Sequence, residues 1–457
     1  MTDNLSIFLA KSDVKAHDLE HKRKISFNIQ KYNDSVVKGK RQFADLDAAR
    51  KKAKNVKWKA IEHLDKYLEL FEQHFTARGG KVIWAETAAD AQQAVLQICN
   101  EKNARQVVKS KSMVTEEIHL NSFLQQHNIE SVETDLGEYI QQLDGEAPYH
   151  IVTPAMHKSK EDVARVFHEK LSTLPNLTPP ELTQIARVNL REKYQSADVG
   201  ITGGNFLLAD IGAVCVSENE GNARLSTAFP KTHIAIVGIE KVLPSVYDLQ
   251  LMWPLLATYG TGQKLTVYNT IFTGPRQPGE NDGPEEMYVI LLDNGRTNLL
   301  RKEVRESMYC IRCGSCLNAC PVYKNIGGHA YGATYSGPIG SVITPHMQGM
   351  EEYKHLSYAS SLCGNCTEVC PVKINIHGML LENRNIAVAE GLNTKKENLA
   401  WKLWKMGMMN RSIMELAPAK LKDKLTNRVF KDTWVKDRTA LHFAPKSFSR
   451  LWKERNK

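Results

Sequence analysis

Between Ala48 and Phe75 the chain sets Trp58, Ile61, Leu64, Leu68, Phe71 and Phe75 at spacings of three and four. That apolar stripe predicts a helical N-terminal region, residues 1–80, packed on a core and closed by Gly79 and Gly80. From Lys81 the pattern changes. "KVIWAE" reads as a short buried strand, and "TAADAQQAVLQICNEK" as a helix opened by Thr87. "RQVVKS" is a second strand, "TEEIHLNSFLQQHN" one continuous helix and "IESVETD" a third strand. A helical stretch over roughly 159–196 follows. The alternation then resumes with "ADVGITGGNFLLADIGAVCVSENEG" and "HIAIVGIEKVL", and "YVILLDNGR" supplies a last strand. Strands alternating with helices predict one α/β domain with a mostly parallel sheet over 81–300.

Residues 301–390 break that pattern with two cysteine runs joined by a Gly- and Tyr-containing connection. Residues 391–457 form a basic C-terminal extension. Of nine cysteines, seven lie between Cys310 and Cys370. Cys99 and Cys215 stand alone in apolar stretches and are expected to be buried and structural. The formal charge of +9 is a property of the tail, where fifteen Lys/Arg face five Asp/Glu from Trp401 onward. In that tail Trp401, Leu403, Trp404 and Met406 suit a partly packed helix, a partner subunit or an anionic lipid surface. Nothing resembles a nucleic-acid module. No apolar run approaches the roughly 18 residues needed to span a bilayer. The N-terminal residues lack a basic-then-apolar leader pattern. The expected location is the cytoplasm, with peripheral attachment at the inner membrane face as the alternative.

Clustered cysteines in such a chain point to metal or redox chemistry rather than disulfides. "YCIRCGSCLNACP" has the spacing C-x2-C-x2-C-x3-C-P. "SSLCGNCTEVCP" repeats its last three cysteines and has Ser360 where the first should stand. Zinc takes four ligands from paired C-x2-C knuckles, a different pattern. Three closely spaced thiolates wrap an iron–sulfur cube, and in two-cluster ferredoxins the fourth cysteine of a run goes to the other cluster. Cys310, Cys313, Cys316 and Cys370 are therefore expected to hold one cluster, and Cys320, Cys363 and Cys366 the other. The second cluster then lacks one thiolate. Ser360 or Ser361, a histidine (His329, His346 or His355), a partner or a water are the candidates for that position, and a three-iron form is the alternative. The two clusters are expected to lie close together and to differ in potential.

"CIRCGSCLNACPVYKNIGGHAYG" and "LCGNCTEVCPVKI" resemble the lactate-utilisation protein B family, the iron–sulfur subunit of a bacterial L-lactate dehydrogenase complex. "VETDLGEYIQQL" and "HIVTPAMHKS" look like the first half of that family's α/β domain, and "ADVGITGGNFLLADIGAVCVSENEGNARL" like its second half. The resemblance implies an α/β domain of the sugar-phosphate isomerase and CoA-transferase group (the NagB/RpiA/CoA-transferase-like, LUD fold). An α-helical ferredoxin-like domain with two clusters, most simply 4Fe-4S, then follows. It also implies a complex with two other subunits that oxidises L-lactate to pyruvate and delivers electrons to a further acceptor, quinone among the candidates. No catalytic base is visible in the cysteine segment, so this chain is expected to relay electrons rather than oxidise lactate alone. Two alternatives stand beside that reading: an α/β domain that itself binds or converts a small carboxylate, and a redox-sensing scaffold.

Other constellations are weaker. "GITGGN", with Asp210 and "NEGNAR", suggests turns that need positive φ, or a small-anion pocket lined by Thr202, Asn205, Glu218, Asn222 and Arg224. The spacing does not match a dinucleotide fingerprint. Glu116, Glu117 and His119 read as a solvated helix face. Lys109 and Lys111, at a strand end, are placed to meet a carboxylate.

Overall fold

A computed structural model describes residues 4–432 and 434–456. Residues 1–3 of the expected N-terminal region, and Thr433 and Lys457 of the expected extension, lie outside them. The strands are β1 (Lys81–Ala85), β2 (Gln106–Lys109), β3 (Glu130–Glu133), β4 (Val199–Thr202), β5 (Phe206–Leu208), β6 (Ala213–Glu218), β7 (Thr232–Gly238), β8 (Val242–Leu243), β9 (Tyr268–Phe272) and β10 (Glu286–Leu292). Six of them form a wholly parallel sheet in the order β1-β10-β7-β4-β2-β3. β4 and β7 are buried at every position, as strands covered on both faces must be. From β2 the chain steps outward to β3, then returns to β2's other side as β4 and runs on to β7 and β10. The order thus reverses between β2 and β4. A second, smaller sheet, β8-β5-β6-β9, is mixed: β6 runs antiparallel to β5 and β9, and β8 parallel to β5.

Local chemistry sets several element ends. Thr87 opens helix Ala88–Glu101 with a capping box, its side chain and that of Asp90 each meeting the other's backbone N–H. The expected single helix after β2 is two, Met113–Glu117 and Leu120–Gln126, because His119 takes a left-handed conformation at φ 49. The N-terminal stripe likewise divides, at His63, into helices Leu46–Glu62 and Leu64–Thr76. Its inner residues Ile61, Leu64, Leu68, Phe71 and Phe75 are buried, whereas Trp58 is 51% exposed. Cys99 and Cys215 are fully buried, and burial pushes the Cys99 thiol up to about 12.

Two compact units divide between residues 386 and 387. In the first, one hydrophobic core runs from Phe71 and Phe75 through Leu207 and Val242 to Tyr323, Ile339 and Leu380. The N-terminal helices, the smaller sheet and the cysteine segment therefore share that core. In the second unit, helices Lys395–Met409, Ala419–Val429 and Phe448–Arg455 bury no residue. Trp401 and Trp404 meet edge to face at 5.7 Å and stay more than half exposed.

Candidate metal centre

The two cysteine runs adopt the same backbone. In the first, Arg312 is left-handed at φ 59 and Gly314 at φ 76, and helix Ser315–Ala319 follows. In the second, Leu362 is left-handed at φ 54 and Gly364 at φ 79, and helix Asn365–Glu368 follows. Arg312 and Leu362 are uncommon non-glycine residues at positive φ, and glycine fills the second such position of each loop without steric cost. At Gly314 a Cβ would also sit 3.1 Å from His150 Cε1. The likeness extends to the first position of each run. The Arg312 N–H donates to Cys310 Sγ over 3.4 Å, and the Leu362 N–H donates to Ser360 Oγ over 3.1 Å. Ser360 Oγ thus stands in the second run where Cys310 Sγ stands in the first.

Cys310, Cys313, Cys316 and Cys370 border one void whose remaining wall is largely aliphatic: Ile151, Ile311, Ile339, Val372, Ile374 and Ile376. Three thiols of one run and the last thiol of the other therefore converge, a donor set that suits an iron–sulfur group. Cys320, Cys363 and Cys366 form the second grouping; burial, then the neighbouring cysteines, push the Cys366 thiol up to about 11. The runs touch directly, with Asn365 Nδ2 donating to the Ala319 carbonyl over 3.1 Å. Burial holds the Cys313 thiol at about 11 and Cys370 at about 12, so metal loading must displace protons from both. Cys363 alone of the seven is exposed.

The N-terminal helix Leu46–Glu62 clamps the second run. Arg50 donates through Nε and Nη2 to the Cys370 carbonyl over 3.1 and 2.9 Å, and through Nη2 to the Glu368 carbonyl over 2.5 Å. Lys54 reaches Glu306 over 2.6 Å, and Lys373 pairs with Asp47.

Behind the first run lies a buried ionic network that sequence reading missed. Arg296 donates bidentately to Glu117 over 2.9 and 2.8 Å, and through Nε to Glu240 over 2.6 Å. Tyr335 donates to Glu117 over 2.6 Å. Arg312 lies 3.4 Å from Glu240 and stacks over the Tyr335 ring at 4.3 Å. Lys57 donates to the Glu240 carbonyl over 2.5 Å. Burial would raise the Glu240 carboxyl, but Arg296, Arg312 and Lys241 hold it well below the usual carboxylate range. Burial lowers Lys241 to about 8 and Lys57 to about 7 against the pull of Glu240. Four basic side chains, Lys57, Lys241 and Arg296 buried and Arg312 nearly so, thus face two buried carboxylates beside Cys310. The expectation of a solvated helix face for Glu116, Glu117 and His119 is corrected here. Glu117 is buried and paired because the helix ends at Ile118 and turns it inward; Glu116 is partly buried beside Lys109, and His119 alone is exposed.

The remaining candidates are dispersed. Lys109 is fully buried and pairs with Glu133 over 2.6 Å. Asn205, Glu218, Asn222 and Lys111 line one cavity of about 380 Å³; Thr202 and Arg224 do not. Thr202 is buried and bonded to His233 Nε2 over 2.8 Å, and Arg224 lies over the Tyr268 ring. Asp210 accepts from Ser245 Oγ over 2.7 Å. Of the histidines, His329 bonds the Ala147 carbonyl over 2.7 Å, His346 bonds Asn383 over 2.9 Å, and His355 packs on Phe8. His377, which the sequence reading passed over, bonds Thr367 Oγ1 within the second run over 2.7 Å.

Residues 68–292 match the LUD domain and residues 306–374 the 4Fe-4S dicluster domain. The α/β region is thus a LUD domain. A dicluster domain accounts for two 4Fe-4S groups and for the crowding of seven cysteines into one short segment. The chain is 46% identical over 370 residues to the uncharacterized electron transport protein YkgF of Escherichia coli K12, spanning 79% of this chain and 78% of that protein. It is 45% identical over 369 residues to lactate utilization protein B of Bacillus velezensis, spanning 80% and 78%. A crystal structure of a DUF162 family protein from Deinococcus radiodurans aligns at TM-score 0.27 and 14% identity over 50% of this chain and 98% of that one, too distant to inform the site.

Proposed function

The chain belongs to the lactate utilization protein B family, and from that premise we propose that it is the electron-transfer subunit of a complex that oxidises L-lactate to pyruvate. Two further subunits complete the complex, and electrons leave toward an acceptor such as quinone at the membrane surface. When bound, the clusters supply one-electron oxidation and reduction. Cys310, Cys313, Cys316 and Cys370 hold the first. Cys320, Cys363 and Cys366 hold the second, with Ser360 as the fourth donor. The observation that carries this reading is the crosswise meeting of Cys370 with the three cysteines of the first run around one void. The matched N–H contacts to Cys310 Sγ and Ser360 Oγ support the serine. The basic side chains behind Cys310 favour the more negatively charged, reduced state of the first site.

Iron and sulfide analysis of the anaerobically purified full chain, with EPR, tests the assignment. About eight irons with matching sulfide are expected, or about seven if the second site holds a three-iron form; zinc without sulfide would sink it. Lactate–dye reduction should require the partner subunits, and reduction by this chain alone would overturn the relay role. Growth on lactate should be lost in Cys310→Ser cells.

A further inference from the structure

The cavity of about 380 Å³ opens where the parallel sheet reverses its order. Open α/β sheets take ligands at such a point, outside the carboxyl ends of their strands. Here Ser110 and Lys111 follow β2, Gly203 and Gly204 follow β4, and Lys241 follows β7; all line the cavity. Arg312, Cys313 and Tyr335 of the cysteine segment line it too, with Arg312 close to Lys241. The electron-transfer reading makes no use of this space.

Its walls carry opposite charge. Lys241 is 5% exposed, has Glu240 as its charged neighbour and makes no side-chain hydrogen bond among the described residues. Arg312 is nearly buried, with 10% of its side chain exposed; its Nη1 has no partner, and its Nη2 reaches Glu240 only at 3.4 Å. Two largely buried basic side chains with unused donors on one cavity wall call for an anion. Another part of the wall carries Asp135, Glu218 and Glu220. Glu218 accepts from the Ala223 and Arg224 N–H groups, and Glu220 from Leu136 N–H. Carboxylates can accept further hydrogen bonds but donate none when ionised, so they favour a ligand hydroxyl and repel a second negative charge. The volume sits at the small end of the roughly 300–1,000 Å³ range of ligand pockets.

We propose that this cavity binds a small hydroxycarboxylate, its carboxylate on Arg312 and Lys241 and its hydroxyl toward the acidic wall of Asp135, Glu218 and Glu220. The ligand then lies against Cys313, beside the first cluster site. The inference rests on the lactate-oxidation reading only for the choice of probe.

Calorimetric titration of the iron-loaded full chain, with no electron acceptor present, tests binding apart from electron transfer. L-lactate should bind saturably at one site. Pyruvate, which lacks the hydroxyl, should bind more weakly, and inorganic phosphate more weakly still. Lys241→Met and Arg312→Lys should each raise Kd about tenfold or more, as expected for a lost charge-assisted hydrogen bond, while iron content stays at the wild-type level. Should those variants lose iron, Lys111→Met, in the same cavity beside Glu220, provides the test, with a several-fold rise in Kd expected. Absence of saturable lactate binding in the millimolar range would overturn the proposal. So would unchanged affinity in an iron-replete variant, equal affinity for pyruvate, or phosphate binding as tightly as lactate. Each of these results leaves the cluster assignment standing, because that is read by iron, sulfide and EPR.

Discussion

Arg312 and Leu362 hold the same left-handed position in two loops of one design, so the loops differ in chemistry rather than in shape. The inner loop carries a guanidinium against a buried ionic network; the outer carries an aliphatic side chain. The same comparison makes Ser360 the counterpart of Cys310, which gives a test at one atom. Ser360→Cys replaces an oxygen donor by a thiolate, so the second site's potential should shift while its iron content holds or rises. Ser360→Ala should reduce occupancy of the second site alone, by up to about one iron in four. Iron analysis with a redox titration followed by EPR reads both, and equal spectra for wild type and alanine variant would remove serine from the donor set. The cysteine spacing was legible in the sequence because it is local. The pairing of Glu117 with Arg296 was not, since two charged residues far apart in the chain announce nothing until the sheet brings them together. Lys241 and Arg312 escaped notice for the same reason.

At the scale of elements, the alternation of strand and helix was readable wherever one face or both were apolar, as in β7. Helix Met113–Glu117 was read too long because its polar residues continue past His119 without a proline or glycine to signal the break. β9 was missed: its partly exposed residues, without apolar–polar alternation, pair on the edge of a second sheet that the parallel pattern does not foretell. Helix Leu46–Glu62 read as simple core packing, yet its polar side holds the second cysteine run through Arg50. Arg50→Ala removes three hydrogen bonds to two carbonyls and should cost about 1–3 kcal/mol. Iron should be lost faster to a chelator, whereas a surface control such as Arg165→Ala should not change the rate. Glu286 ties the start of β10 to Lys102 and Lys81. Those hydrogen bonds, Lys102 first, hold its carboxyl at about 2 against an ordinary 4.5. A folded value below the unfolded one means the contribution is present above about pH 4.5 and fades as pH falls toward 2. It should amount to about 1–2 kcal/mol after allowance for its partial exposure. In urea melts, the gap between wild type and Glu286→Gln should be full at pH 6 and shrink toward pH 3; a constant gap would show that the charge is not what stabilises.

For the molecule as a whole, the first compact unit, within Met1–Ile386, joins a LUD sheet, N-terminal helices and a dicluster segment through one core. No sequence period marks that union, because core continuity is a property of packing and not of any one stretch. No helix among the described residues is long and apolar enough to cross a membrane. The second unit keeps its tryptophans exposed. The seven clustered cysteines are unequally sheltered: Cys313, Cys316 and Cys370 are enclosed by aliphatic side chains, while Cys363 opens to solvent. Dissolved oxygen and peroxide therefore meet the two sites at different rates. On timed exposure to air, the signal of the outer site should decay first, with close to half of the iron released before the inner one is touched. Simultaneous loss of both signals would contradict this. The protein would then age in a fixed order: a cell recovering from oxidative stress would find the inner site still charged and only the outer one in need of repair.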